Sequence, residues 1–282
     1  MRIILAEHFG MCFGVRDALA EAEQLAGTGP LTVLGELVHN PVVRERLTGR
    51  GVREGRLDDF ASAATQQVMI TAHGASDRDR NAWRAAGFHV ADGTCPLVHR
   101  AHAQLRALVV AGYFPVVIGK SGHVEVRGLT GDFPHAVVLE TASDVASLPT
   151  DVSRFGVISQ TTQPIDRVRA LVDCIRRVRP DADVEFCDTV CQPTKNRQLA
   201  LQKLIATCDT IVVVGGNNSN NTRQLVEAAK SAGRRAIHIE RPDQLLAEDL
   251  RDAKIVGLTA GTSTLKETVT AVYERLQMIA GE

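Results

Sequence analysis

The sequence lacks three things that would each have assigned it a class. It has no surplus of positive charge: 32 lysines and arginines face 33 acids, for a formal net charge of −1. The basic footprint that nucleic acid or an anionic membrane surface requires is therefore absent, although a local basic patch for a phosphorylated small molecule stays compatible. It has no apolar run of membrane-spanning length, since the longest stretch, residues 107–119, is broken by Gly112 and Pro115. It has no C-x-x-C pair, which excludes the common zinc-ribbon and dithiol redox patterns. The first residues, Arg2-Ile3-Ile4-Leu5-Ala6, are too short and wrongly built for a signal peptide, so the cytoplasm is the expected compartment.

What is present fits a globular protein: 282 residues, 44% hydrophobic and 23% charged, enough for one large domain or two to three small ones. Six cysteines (Cys12, Cys95, Cys174, Cys187, Cys191 and Cys208) in a chain expected in the cytoplasm point to packing, metal or catalysis rather than disulfides. The stretch His89-Val90-Ala91-Asp92-Gly93-Thr94-Cys95-Pro96 reads as a strand end, a small-residue turn presenting a cysteine, and a proline that opens a helix. A thiol at the positive end of a helix favours the thiolate.

The pattern recurs. Apolar runs predict strands at 2–6, 31–34, 68–71, 115–118, 155–158, 184–186, 211–214, 236–239 and 255–258. Helical spacing predicts helices over 15–26, 78–86, 97–109, 165–178 and 194–207, and at the end of the chain. Between Pro41 and the strand at 68 a short helix and a variable loop are expected. From each of Cys12, Cys95 and Cys191 to the polar residue after the next strand (His39, His123, Ser219) the spacings are 27, 28 and 28. A fixed long period marks duplicated units. The expected organisation is a first α/β unit over 13–95, a second over 96–191, and a third over 192–282 completed by 1–12. Alternating strands and helices imply parallel sheets with ligand sites beyond the strands' carboxyl ends. Three such units facing one axis would bring three cysteines and six polar loops to one cavity.

The same spacing sorts the cysteines. Cys174 and Cys208 share helical faces with apolar residues and read as core. Cys187 breaks the period, at 32 residues from Ser219, and is second choice to Cys191. Three thiolates without histidine at ligand spacing suit zinc or an iron–sulfur cluster, and a cluster held by three cysteines keeps one iron open to substrate. Loop residues His39, Asn40, His73, His123, Thr161, Thr162, Ser219, Asn221 and Ser263 offer neutral hydrogen bonds to phosphate oxygens. Each alone reads equally as a cap or turn residue. Glu125 is either a solvated loop carboxylate or, enclosed, a proton donor near neutrality.

The chain resembles the hydroxymethylbutenyl diphosphate reductases, the IspH/LytB family. The resemblance rests on Gly10-Met11-Cys12-Phe13-Gly14-Val15, Val38-His39-Asn40, Ala72-His73-Gly74, Asp92-Gly93-Thr94-Cys95-Pro96-Leu97-Val98, Gly122-His123-Val124-Glu125-Val126 and Gln160-Thr161-Thr162. It continues through Cys191 with Thr194, Asn196, Arg197 and Gln198, then Asn218-Ser219-Asn220-Asn221-Thr222 and Thr259-Ala260-Gly261-Thr262-Ser263. It implies a trefoil of three α/β units with mostly parallel sheets around a central iron–sulfur site. A [4Fe–4S] cluster would be held by Cys12, Cys95 and Cys191. The diphosphate would be bound by His39, His73, His123, Ser219, Asn220, Asn221 and Ser263. Thr161 would position the allylic hydroxyl, with Glu125 and His123 serving the proton chemistry. The implied reaction removes that hydroxyl as water with two electrons and two protons, giving isopentenyl and dimethylallyl diphosphate, the electrons coming from a ferredoxin or flavodoxin.

The chain departs from the family pattern in several places. Val124 and Leu265 stand where proline is usual, Asn220 where a second serine is usual, Phe9-Gly10-Met11 where Arg-Gly-Phe is usual, and Pro193 where a small residue is common. Several of these border the implied diphosphate pocket. They keep open a paralogue acting on a related allylic diphosphate; a zinc-binding hydrolase using the same cysteines and a non-catalytic binder are the readings from other classes.

Overall fold

A computed structural model describes residues 1–281 of the chain. In chain order, β1 (Arg2–Leu5), α1 (Phe13–Thr28), β2 (Leu31–Leu34), α2 (Pro41–Thr48), β3 (Arg53–Gly55), β4 (Gln67–Ile70), α3 (Asp77–Ala85) and β5 (His89–Asp92) form the first third. Then come α4 (Pro96–Val110), β6 (Phe114–Ile118), α5 (Val124–Thr130), β7 (Val137–Leu139), β8 (Arg154–Ser159), α6 (Ile165–Val178) and β9 (Asp183–Phe186). The last third holds α7 (Gln192–Thr207), β10 (Thr210–Val214), α8 (Asn220–Ser231), β11 (Arg235–Ile239), β12 (Ile255–Ala260) and α9 (Lys266–Gly281).

The strands make three four-stranded sheets, β1-β12-β10-β11, β5-β4-β2-β3 and β9-β8-β6-β7, and every pairing within them is parallel. The three orders are the same order. In each, the strand leading to a cysteine (β1, β5, β9) lies at one edge, and the third strand across (β10, β2, β6) feeds a polar loop. Helices cover parallel sheets on both faces, so central strands are continuously apolar: Ile211, Val212, Val213 and Val214 are all fully buried. Among the described residues no helix is long and apolar enough to cross a membrane.

By contact density the chain forms two compact units. One comprises Met1–Arg16, Val38–Gly49 and the chain from Gln192 onward, built on the β1-β12-β10-β11 sheet. The other comprises Asp17–Leu37 and Arg50–Cys191, holding the remaining two sheets. The core of the first packs α9 on one sheet face through Val269, Val272 and Leu276. On the other face α7 and α8 contribute Leu201, Leu204, Leu225 and Val226.

Three elements carry too little local pattern to be legible in the sequence. β3 and β7 are three residues each, and β3 is Arg-Glu-Gly, held by pairing to β2 rather than by propensity. The loop expected at 122–126 turns into α5, whose Val126 and Leu129 are buried in a core with Ala101, Leu105 and Ile158. Packing there overrides a weak helical signal.

Within the second unit a single carboxylate joins the two sheet layers. Asp132, just past α5, accepts the backbone N–H of Asp77 (2.8 Å) on one oxygen and that of Arg78 (2.9 Å) on the other. Ser76, the N-cap of α3, accepts from Asp79 N. These bonds satisfy helix-start donors that have no intrahelical partner. Beside them a Cβ at Gly131 would lie 2.7 Å from Ser76 Cβ, so the chains touch too closely for a side chain. Asp132→Ala, which strips α3 of two charge-assisted bonds, is expected to destabilise the protein by about 1.5–3 kcal/mol. Urea unfolding measures this, and an unchanged midpoint would contradict the clamp.

Candidate active site

Each of three cysteines sits in the same backbone setting. Cys12 N donates to Thr262 O (3.0 Å), Cys95 N to Ala72 O (3.1 Å) and Cys191 N to Thr161 O (2.9 Å). In every case the acceptor is the second residue past the neighbouring strand, β12, β4 or β8. In every case the next residue, Phe13, Pro96 or Gln192, opens a helix. All three are half-buried and none is in a disulfide. The other three differ: Cys208 is core and Cys174 packs against the core around Leu171 and Ile175. Cys187 N continues the ladder to Val157 O, and burial, with Glu185 adding to it, pushes its thiol up from the ordinary cysteine value.

In the second unit His73, His123, Glu125 and Thr161 come together. His123 caps α5, its Nδ1 accepting from Glu125 N (3.1 Å), so a neutral ring carries its proton on Nε2. The rings of His73 and His123 meet edge to face at 5.5 Å. Glu125, in the first turn of α5, is 2% exposed, and Thr161 N donates to its Oε1 at 2.6 Å. Burial pushes the Glu125 carboxyl up to about 7, against the lowering effect of the Thr161 backbone and hydroxyl bonds. Thr161 thus serves Glu125 through its N–H and Cys191 through its carbonyl. Gln160, fully buried, accepts from Lys120 N and Gln163 Nε2, while its own Nε2 has no hydrogen-bond partner among the described residues.

In the first unit His39, Ser219, Asn220, Asn221 and Ser263 come together around the strand ends. Asn40 caps α2 through Val42 N (2.9 Å) and donates Nδ2 to Ser263 O (2.9 Å), while Ser263 Oγ reaches His39 O (3.3 Å). Ser219 caps α8 through Thr222 N (3.3 Å). A Cβ at Gly216 would lie 2.3 Å from His39 O, so only glycine lets the His39 segment lie on this loop. Ser219, Asn220, Asn221 and Ser263 are all buried, and Asn221 Nδ2 has no hydrogen-bond partner among the described residues. An orphaned buried donor suits a site that receives an anion.

The sequence places Gln160 and Arg197 inside recognisable stretches without pointing to a role for either, and offers no signal for Arg80. Gln160 stood at the head of the quoted Gln-Thr-Thr, which was its only signal. Both arginines are buried on their helices, which no local pattern in the sequence indicates. Three of the departures fall at helix starts. Val124 is the first residue of α5, where the N–H has no helical partner, so valine forfeits only the fixed φ that proline would bring and no bond. Leu265 packs just ahead of α9, and Asn220 opens α8.

The sequence matches the LytB protein family over residues 3–277. The chain belongs to the LytB family. A LytB relative, the 4-hydroxy-3-methylbut-2-enyl diphosphate reductase of Geotalea daltonii, is 35% identical over 283 residues, covering 99% of this chain and 98% of its own. The enzyme of the same name from Aquifex aeolicus is also 35% identical, covering 98% and 96%. The solved structure of the E-1-hydroxy-2-methyl-but-2-enyl-4-diphosphate reductase from Plasmodium falciparum matches with a TM-score of 0.92 at 26% identity, over 98% of this chain and 88% of that one. A second reductase structure, described as the terminal enzyme of the non-mevalonate pathway, matches at 0.70 with 33% identity, over 99% and 100%. Three α/β units on parallel sheets are thus the fold of this LytB protein, as the repeat implied.

Glu125 makes stability depend on pH in a specific sense. Its folded pKa of about 7 lies above the ordinary 4.5, so between those values the folded chain holds a proton that the unfolded chain has released. Stability therefore falls as pH rises from about 4.5 and levels off above about 7, the total being roughly 3 kcal/mol. Glu125→Gln is expected to remove that slope and to be the more stable protein at pH 8. Unfolding midpoints across pH 4.5–8 measure it, and parallel curves for the two proteins would contradict the burial argument.

Proposed function

We propose that this chain reduces 4-hydroxy-3-methylbut-2-enyl diphosphate, removing its allylic hydroxyl to give isopentenyl and dimethylallyl diphosphate at the end of the non-mevalonate route. The observation that carries this reading is Glu125: a fully buried carboxyl with a pKa near 7, held by Thr161, among polar strand-end loops and one loop away from a cysteine turn. The names of the full-length relatives supply the substrate.

Cys12, Cys95 and Cys191 would hold a [4Fe–4S] cluster. Their donor set fits: three half-buried thiols outside any disulfide, each presented ahead of a helix start that favours the thiolate. When bound, such a cluster supplies single electrons and a Lewis-acidic iron. The electrons would be delivered by a ferredoxin or flavodoxin.

The rest falls to the chain's own residues. His39, His73, His123, Ser219, Asn220, Asn221 and Ser263 would bind the diphosphate, with buried donors such as Asn221 Nδ2 left for its oxygens. The Nε2–H of His123 is a donor whose tautomer is set by Glu125 N. The Thr161 hydroxyl would orient the substrate hydroxyl. Glu125, about half protonated at neutrality, would deliver the proton with which that hydroxyl leaves as water. The whole change takes up two electrons and two protons and releases one water. The compartment proposed is the cytoplasm.

One observation favours a related second substrate. Asn220, larger than the serine of the family pattern, is buried at the start of α8 beside Ser219. A paralogue reading predicts that Asn220→Ser improves kcat/KM for the standard diphosphate.

Anaerobic turnover with the hydroxylated allylic diphosphate and a strong reductant tests the main reading. The wild type is expected to release both products, at a rate that falls as pH rises through about 7. Glu125→Gln is expected to lose on the order of 10²-fold or more in kcat with the cluster retained. Turnover by the variant at the wild-type rate would remove Glu125 from the chemistry. Stoichiometric zinc in place of iron in anaerobically made protein would favour a zinc hydrolase instead.

A further inference from the structure

Arg80 is a buried cation that the proposed chemistry does not use. It lies on α3, one turn in, and is 5% exposed. Its guanidinium makes three contacts in three directions. NH1 donates to Asp77 Oδ1 (3.1 Å) and NH2 to Thr94 Oγ1 (3.1 Å), while Nε lies 3.1 Å from Asp92 Oδ2 in an ion pair that lacks hydrogen-bond alignment. Two of these partners belong to the turn that carries Cys95.

That turn is tied to the end of β4 by Gly93 N to Ile70 O and Cys95 N to Ala72 O (both 3.1 Å), but its side chains are held mainly by Asp92. Asp92 ends β5, and its Oδ1 accepts both the N–H of Thr94 (3.1 Å) and the Thr94 hydroxyl. Between them, Gly93 has no side chain, and a Cβ there would lie 2.4 Å from Met69 Cε and 2.7 Å from Ile70 O. The turn is therefore pressed against β4 with no room to adjust. Thr94 also meets Gly74, which sits at a φ of +80° next to His73, with its Cβ position 3.0 Å from Thr94 Cγ2. Arg80 bridges Asp92 and Thr94 from behind, closing a ring around the residues that precede the thiol.

Burying a guanidinium is costly unless carboxylates and hydrogen bonds compensate, and here Asp77, Asp92 and Thr94 all do. A lysine ammonium could not match this planar, three-way arrangement. A second buried arginine is placed similarly in the other unit: Arg197, on α7, donates to Pro193 O (2.8 Å) and to Gly10 O, two residues before Cys12.

We propose that Arg80 is a positioning residue for Cys95, fixing the Asp92-Gly93-Thr94 turn and adding a fixed positive charge to it. The proposal rests on the reading of Cys95 as a cluster ligand, and its test has one arm that needs no cluster. In cluster-free protein, hydrogen exchange of the peptide spanning 92–96 is compared for wild type, Arg80→Met and Arg80→Lys. Arg80→Met is expected to lose protection there by at least about tenfold, with no such loss in the peptides containing Cys12 and Cys191. Arg80→Lys, the variant safer for folding, is expected to lose about threefold.

The second arm measures the reduction potential of cluster-loaded protein. It is expected to become more negative in Arg80→Met, where Asp92 keeps only Thr94 and the more exposed His99 as partners, and to return close to wild type in Arg80→Lys. Uniform loss of protection along the chain, or unchanged protection and potential, would overturn the proposal as a general stability effect. A wild type that loads no iron while the turn still loosens in Arg80→Met would support the clamp and defeat the cluster assignment instead.

Discussion

The hydrogen bond from a cysteine's own N–H to the carbonyl two residues past the neighbouring strand is the constraint on which the candidate site depends. It appears three times, at Cys12, Cys95 and Cys191, with lengths of 3.0, 3.1 and 2.9 Å. A parallel strand ends in an open carbonyl, and a chain leaving the edge strand can use it only by turning there. The turn presents the side chain just where a helix begins, which is where a thiolate is favoured. Thiol placement is thus built from backbone bonds, the most rigid material a parallel sheet offers at its carboxyl end.

The same geometry explains where the polar residues lie. The third strand of each sheet feeds a loop that caps a helix with Asn40, His123 or Ser219. Capping already commits one polar atom of each residue, and it directs the rest of the segment beyond the strand ends. Glu125 follows His123 by two residues and is carried inward by α5, whose apolar side packs on α4 and β8. Removing water from that carboxyl raises its pKa and lowers the stability of the folded chain near neutrality. A protein retains such an expense where a group must hold a proton at working pH.

Much of this was legible in the sequence because it is periodic. The 28-residue spacing chose Cys191 over Cys187, and in the structure Cys187 continues a strand ladder while Cys191 takes the turn. Apolar runs gave the buried central strands almost to the residue, and α6 at its full extent. What was not legible depends on partners distant in sequence. Nothing local distinguishes a solvated Glu125 from one enclosed by Thr161, 36 residues on. Arg80 reads as one more charge on a polar helix until β5 and the Cys95 turn are laid against it. Residues 122–126 looked like a loop because α5 is short and begins with the residues that cap it.

The central proposal is that three cysteines equivalent in backbone setting would hold one cluster and leave one iron open. Mössbauer spectroscopy of anaerobic, iron-57-loaded protein tests it most directly. The account predicts three irons in one class of environment and a fourth in another, with only the fourth altered when the diphosphate substrate is added. Four equivalent irons indifferent to substrate, or no bound iron at all, would contradict it.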